Sequence, residues 1–198
     1  MSMEQWDLYD MHGRLTGERY VRDSGEPFPS DRYHIVVEIY TLHRGELLVT
    51  KRDPRKLFGN MWEFTGGSVI AGEDSLTGAA RELREETGIA RAPSEFIPLM
   101  SLLRLGGQNW RIDSYAVMLP DDEPRPTVTY QEGETIDHAW LERSALEAML
   151  SSPDFVGHVA NRYRLLSPTL WSLGSAEPTG MNRRQPEAAG IVGALEVE

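Results

Sequence analysis

The chain has 198 residues, 40% hydrophobic and 26% charged, with a formal net charge of -11 and no cysteine. That size suits one domain with a proper core, or one domain plus a tail, and the missing thiols exclude disulfides, thiolate metal sites and cysteine nucleophiles. The acidic balance argues against a nucleic-acid partner, whose grip relies on Lys and Arg; no stretch approaches the ~20 apolar residues of a membrane span, and "MSMEQWDLYD" shows no signal peptide, so a cytoplasmic location is expected.

In chain order, "QWDLYDMHGRLTGERYV" predicts a hairpin, with Trp6, Leu8 and Tyr9 before the turn and Tyr20 and Val21 after it. "RDSGEPFPSD" is a loop, dense in turn residues. "YHIVVEIYTLHRGELLVTKR" predicts two strands joined at Arg44-Gly45, on its β-branched and aromatic content. "DPRKLFGN" is a second loop and "MWEFT" a short strand ending at Gly66-Gly67. A helix follows, with Asp74 as N-cap and Gly88 at C′. "EFIPLMSLLRL" and "WRIDSYAVML" predict a strand pair around "GGQN", and the polar "DDEPRPTVTYQEGE" leads to a strand "TIDHAW". "RSALEAML" and "DFVGHVANRYRLL" predict two short helices. From about Ser172 the chain turns to Gly, Pro, Ala and Glu without periodicity, as in a flexible tail or an oligomer arm. The expected organisation is a hairpin and loop over 1–29, a mixed α and β domain over 30–171, and a tail over 172–198.

The helix raises a question of charge. "RELREETG" places Glu82, Glu85 and Glu86 within five positions, and like charges at i,i+4 destabilise a helix by roughly 0.2–0.5 kcal/mol. At roughly 100° per residue the three carboxylates share an arc of roughly 100°, beside the packing face of Leu76, Ala80 and Leu83. A solvated face with an Arg81–Glu85 pair is the plain alternative, but it leaves Glu82 and Glu86 repelling each other. Magnesium or manganese, hard cations that accept carboxylate, carbonyl and water oxygens and often carry phosphates, would account for the cluster.

The longer stretch "GSVIAGEDSLTGAARELREETGI" places Gly67, Glu73, Arg81-Glu82-Leu83, Glu85-Glu86 and Gly88-Ile89 at the spacing of the Nudix box. The chain therefore resembles the Nudix (MutT-like) hydrolase superfamily over roughly residues 30–165. The resemblance implies an α/β/α sandwich around a mixed sheet, with the box as a loop-helix-loop. It also implies Mg2+- or Mn2+-dependent hydrolysis of a pyrophosphate bond in a small nucleoside-diphosphate-linked molecule. By family match, Glu85 and Glu86 are the principal metal ligands, Glu82 a ligand or the base, and the Gly67 carbonyl a further donor. Arg81 would orient a glutamate, Glu85 on spacing, while Glu73 would fasten the loop to the helix. Glu132 or Glu134 in "QEGE" could add a carboxylate, Glu134 being preferred for its place beside the strand. Arg52, Lys51, Arg55 or Lys56 could hold a phosphate, Arg52 foremost. A homodimer is plausible on family analogy alone.

"WDLYD", "YHIVVEIY", "LLVTKRDPRKLFGNMWEFTGG" and "QEGE" also look like the branch that includes type I isopentenyl-diphosphate isomerase. His34, Glu132 and Glu134 match metal-holding positions there, but Gly66 and Ser68 stand where that family has its catalytic cysteine and a metal-binding histidine. Without the cysteine the proton-transfer chemistry lacks its usual acid. Hydrolysis is therefore expected, with isomerisation and a non-catalytic nucleotide-sensing module as the alternatives.

Overall fold

The computed structural model describes residues 4–174 and 192–196. An antiparallel hairpin opens the chain, β1 (Gln5–Asp10) with β2 (Leu15–Val21). The long strand β3 (Arg32–His43) follows, returning through Arg44 and Gly45 into β4 (Glu46–Arg52). Both turn residues have positive φ, 51° and 75°, as a two-residue hairpin with right-handed twist requires. Two short strands come next, β5 (Trp62–Glu63) and β6 (Thr65–Ser68), and then helix α1 (Ser75–Thr87). A 3-10 turn at Pro93–Glu95 leads into β7 (Phe96–Leu105), which pairs antiparallel with β8 (Trp110–Met118). The last elements are β9 (Thr135–Glu142), α2 (Arg143–Met149), α3 (Gly157–Gly174) and β10 (Val192–Glu196).

β3 is the spine of the mixed sheet. One edge runs parallel with β8 from His34↔Trp110 to Leu42↔Met118. The other is shared in turn by β1 at Tyr33, β6 from Val36 to Ile39, and β4 at Leu42 and His43. Side chains alternate across the pleat, so each face has its own core. Ile35, Val37 and Ile39 pack with Ala79 and Leu83 of α1. Tyr40 and Leu42 pack with Leu146 of α2 and with Val159, Tyr163 and Leu166 of α3. Helices thus cover both faces, the α/β/α sandwich that the sequence resemblance implies.

Two sequence expectations are revised. The sequence pattern ends the final helix at Leu166, yet α3 continues through Pro168 to Gly174. Leu170 is fully buried and Trp171 Nε1 donates to Tyr163 Oη at 2.8 Å, so tertiary packing outweighs proline's local cost. The expected tail from Ser172 therefore starts inside a helix, and part of it, β10, lies parallel beside β7. The rest of that tail lies outside the described residues. Among the described residues no helix is long and apolar enough to cross a membrane.

Candidate active site

The site forms where α1 crosses β6. Asp74 caps the helix by accepting from the Thr77 amide at 2.7 Å, and Gly88 ends it with φ 74° and an amide bond to the Arg84 carbonyl. Both caps match the sequence reading, and they fix the rotation of the helix between them. Glu82 and Glu86 then fall against Gly66-Gly67. A Cβ on Gly66 would sit 2.3 Å from the Val37 carbonyl, and one on Gly67 2.5 Å from the Glu82 carboxylate. Two glycines in succession thus let the strand approach its neighbour and let a carboxylate lie on bare backbone.

Arg81 organises the acidic cluster. Its Nη1 donates to Glu82 at 2.8 Å and to Glu85 at 3.0 Å, while Nε and Nη2 fork onto Glu73 at 3.0–3.1 Å and Nη2 reaches the Ser68 carbonyl at 2.9 Å. Glu73 also accepts from the Ile70 amide at 3.3 Å, so it ties the loop to the helix. Burial works against the Arg81 charge, but Glu73, Glu82 and Glu85 raise its pKa overall.

The carboxylates differ in surroundings. Glu85 is the open one, its side chain 38% exposed. Burial raises the Glu82 carboxyl, against the pull of Arg81. Glu86 is 3% exposed and accepts only a long bond, 3.3 Å, from the Gly66 amide. Burial, with Glu63 and Glu82 nearby, pushes its carboxyl up to about 8, the Lys56 ammonium pulling the other way.

The loop between β4 and β5 brings Lys56 to this cluster, where it pairs with Glu134 and feels Glu86, Glu63 and Glu82. Glu134 thereby joins the box from a distant part of the chain, its position fixed by the Asp53 amide donating to its carbonyl at 2.9 Å. Glu132 stays with the exposed Arg55, whose charge it supports. Arg52 is not free: it donates to Glu63 at 2.5 Å and to the Leu57 carbonyl at 2.8 Å, with 16% of its side chain exposed. Lys51 lies over the Trp62 ring.

Two acidic residues of this region escaped the sequence reading, Glu63 and Glu38. Glu38, 4% exposed, accepts from Arg162 of α3 and from the Tyr40 hydroxyl. Each was marked by a signal, a lone acid inside an otherwise apolar strand ("MWEFT", "IVVEIY"), where an unpaired charge would be costly. His34 sits apart from these glutamates' contacts. It is 1% exposed, stacked on Trp6 at 4.1 Å, and burial lowers its pKa to about 4.

Whether these residues suit a divalent cation is a question of donor chemistry. Among the described residues no three acidic or histidine side chains already form a closed cage. Arg81 stands between Glu82 and Glu85, and Lys56 is on Glu134. Yet the carboxylates presented are hard oxygen donors, and burial, with Glu63 and Glu82 nearby, raises the carboxyl of Glu86. Such a set suits Mg2+ or Mn2+.

Comparison with known proteins gives the family and the fold. A NUDIX domain model matches residues 32–158. The chain is 31% identical over 158 residues to an uncharacterized Nudix hydrolase of Listeria monocytogenes, covering 78% of this chain and 89% of that one. It belongs to the Nudix hydrolase family. Among solved structures, a Deinococcus radiodurans protein superposes with a TM-score of 0.64 at 21% identity, over 82% of this chain and 99% of its own. A Francisella tularensis bifunctional NMN adenylyltransferase/ADP ribose pyrophosphatase, complexed with AMP and a manganese ion, superposes with a TM-score of 0.55 at 14% identity, over 70% of this chain and 42% of its own.

Proposed function

We propose that this protein hydrolyses the pyrophosphate bond of a small diphosphate-linked molecule with the help of Mg2+ or Mn2+. The observation that carries the reading is the gathering of three α1 glutamates at one place, Glu82 and Glu86 on the bare backbone of Gly66-Gly67 and Glu85 tied to Glu82 through Arg81. An acidic protein and a pyrophosphate repel each other, and a cation held by these carboxylates removes the repulsion. Glu85 and Glu86 are the proposed principal ligands, with Glu82, the Gly67 carbonyl and Glu134 completing the set. When bound, the ion polarises a phosphoryl oxygen and acidifies water.

The protein's own groups prepare that chemistry. Arg81 holds Glu82 and Glu85 at fixed separation on one guanidinium, and Glu73 holds Arg81. Glu82, whose carboxyl burial raises against the pull of Arg81, is suited to exchange a proton with the attacking water. Lys56 is the loop cation that stands at the carboxylates, and a phosphate would give it a second partner besides Glu134. Arg52, the arginine the sequence offers first as a phosphate holder, pairs with Glu63.

The Francisella relative's activity puts ADP-ribose first in a substrate panel, followed by nucleoside triphosphates, dinucleotide polyphosphates, nucleotide sugars and isopentenyl diphosphate. The expected result is metal-dependent cleavage of at least one, read as phosphate after a phosphatase step and abolished by a chelator. Conversion of isopentenyl diphosphate to dimethylallyl diphosphate without phosphate release would overturn the reading. So would tight nucleotide binding with no turnover of any compound.

A further inference from the structure

The loop after β4 carries two apolar side chains into solvent just beyond the lysine that meets the carboxylates. Leu57 is 76% exposed and Phe58 43% exposed, while Lys56 stands at Glu134 and feels Glu86, Glu63 and Glu82. Phe58 comes two residues after Lys56, so their Cα atoms lie at most about 7 Å apart.

This exposure is built, not slack. The Lys56 carbonyl accepts from the Gly59 amide at 3.0 Å, the Phe58 carbonyl from the Met61 amide at 3.2 Å, and the Leu57 carbonyl from Arg52 Nε at 2.8 Å. Gly59 passes so close to Pro54 that an added Cβ would meet its carbonyl oxygen at 2.5 Å. Held on both sides, Phe58 has a φ of 58°, a left-handed conformation that is an outlier for a bulky residue. Asparagine or glycine would adopt it with less strain, and strain of this kind gathers at functional sites. The Phe58 ring lies beside His158 of α3, with centroids 5.5 Å apart and an interplanar angle of 58°. At that tilt neither ring covers the face of the other. Arg52 acts electrostatically on both Lys56 and His158, so the ring pair and the lysine flank the same arginine. An open aromatic face therefore adjoins the place where phosphates would sit.

We propose that Phe58, propped by His158, is the specificity-determining surface of this site, and that the planar heterocycle of a nucleoside substrate stacks on its ring while the phosphates lie at Lys56 and the carboxylates. The inference rests on the hydrolytic reading of the carboxylate cluster and adds which part of the substrate is read and by which side chain. Stacking suits a nucleobase because every base has a π-face; an aliphatic diphosphate has none to offer.

Calorimetric titration of the full chain in Mg2+ tests it with adenosine monophosphate and ribose 5-phosphate, neither of which has a pyrophosphate bond to cleave. The nucleotide is expected to bind about tenfold or more tighter than the sugar phosphate, the effect of one base on one aromatic ring. Phe58→Ala and Phe58→Asn should erase that preference and leave the sugar phosphate's affinity unchanged, whereas Phe58→Tyr should keep it. Asparagine accepts the positive φ, so Phe58→Asn spares the fold even if Phe58→Ala lowers the melting temperature. If no compound of the substrate panel is turned over but the preference exists and is lost in Phe58→Asn, the hydrolytic reading fails and the recognition surface stands. If the panel is turned over but the preference is absent, or survives Phe58→Asn, the recognition surface fails and hydrolysis stands. No saturable binding of the nucleotide, or equal weakening of both probes by Phe58→Asn, would likewise overturn the proposal.

Discussion

Glu38 on β3 and Glu86 on α1 are almost equally hidden from water, 4% and 3% exposed, but the protein treats them differently. Glu38 takes two bonds from Arg162 on one oxygen and the Tyr40 hydroxyl on the other. It is a closed pair, complete without any visitor. Glu86 has one long amide bond, two like-charged neighbours and a lysine that is paired elsewhere. A buried charge left under-satisfied is costly, so the contrast separates a carboxylate that holds the fold from one kept open for a cation.

The largest effect should come from opening the closed pair. Arg162→Met leaves Glu38 buried without its cation, only the Tyr40 hydroxyl remaining, which should lower stability by about 3–5 kcal/mol in urea unfolding. An unchanged midpoint would erase the distinction. Next, Glu86→Gln and Glu85→Gln should each cut metal-dependent turnover by about 100-fold or more, since even outer partners of a metal site count for 10- to 100-fold, with the far-ultraviolet circular dichroism unaltered. Wild-type turnover in both would mean that the ligands are elsewhere.

The pH dependence comes third. The raised Glu86 pKa means that, between the ordinary carboxylate range and about 8, the folded protein binds more protons than the unfolded chain. Stability of the chelated protein should therefore be full below about pH 4.5 with respect to this group and fall as pH rises towards 8, by up to about 1.4 kcal/mol per unit. Glu86→Gln should flatten that slope and be the more stable variant at pH 8; parallel curves would refute the assignment. Smallest, Gly67→Ala should push the Glu82 carboxylate aside, reducing turnover about tenfold while the melting temperature moves little, because the displaced group is the end of a flexible side chain. Loss of stability without loss of turnover would show that this glycine serves packing alone.

Sequence made the local parts of this comparison legible. The helix caps at Asp74 and Gly88, the turn at Arg44-Gly45 and the carboxylate arc all depend on residues a few positions apart, where propensity and periodicity operate. What escaped depends on distant partners. The parallel pairing of β3 with β8 joins His34 to Trp110, and neither strand's pattern names its neighbour. Glu38 meets Arg162 across 124 positions and Lys56 meets Glu134 across 78. The partner of Arg52 was illegible for the same reason: the pairing of β4 with β5 sets Glu63 beside it.

The piecemeal edge of β3 has a consequence for tolerance to length changes. A residue added between Ile35 and Glu38 would invert every later side chain of the strand. Glu38 would then turn into the aliphatic layer beneath α1, and Arg162 would be left facing carbon. Loops elsewhere can lengthen at modest entropic cost; this strand is where the protein's arithmetic must come out even.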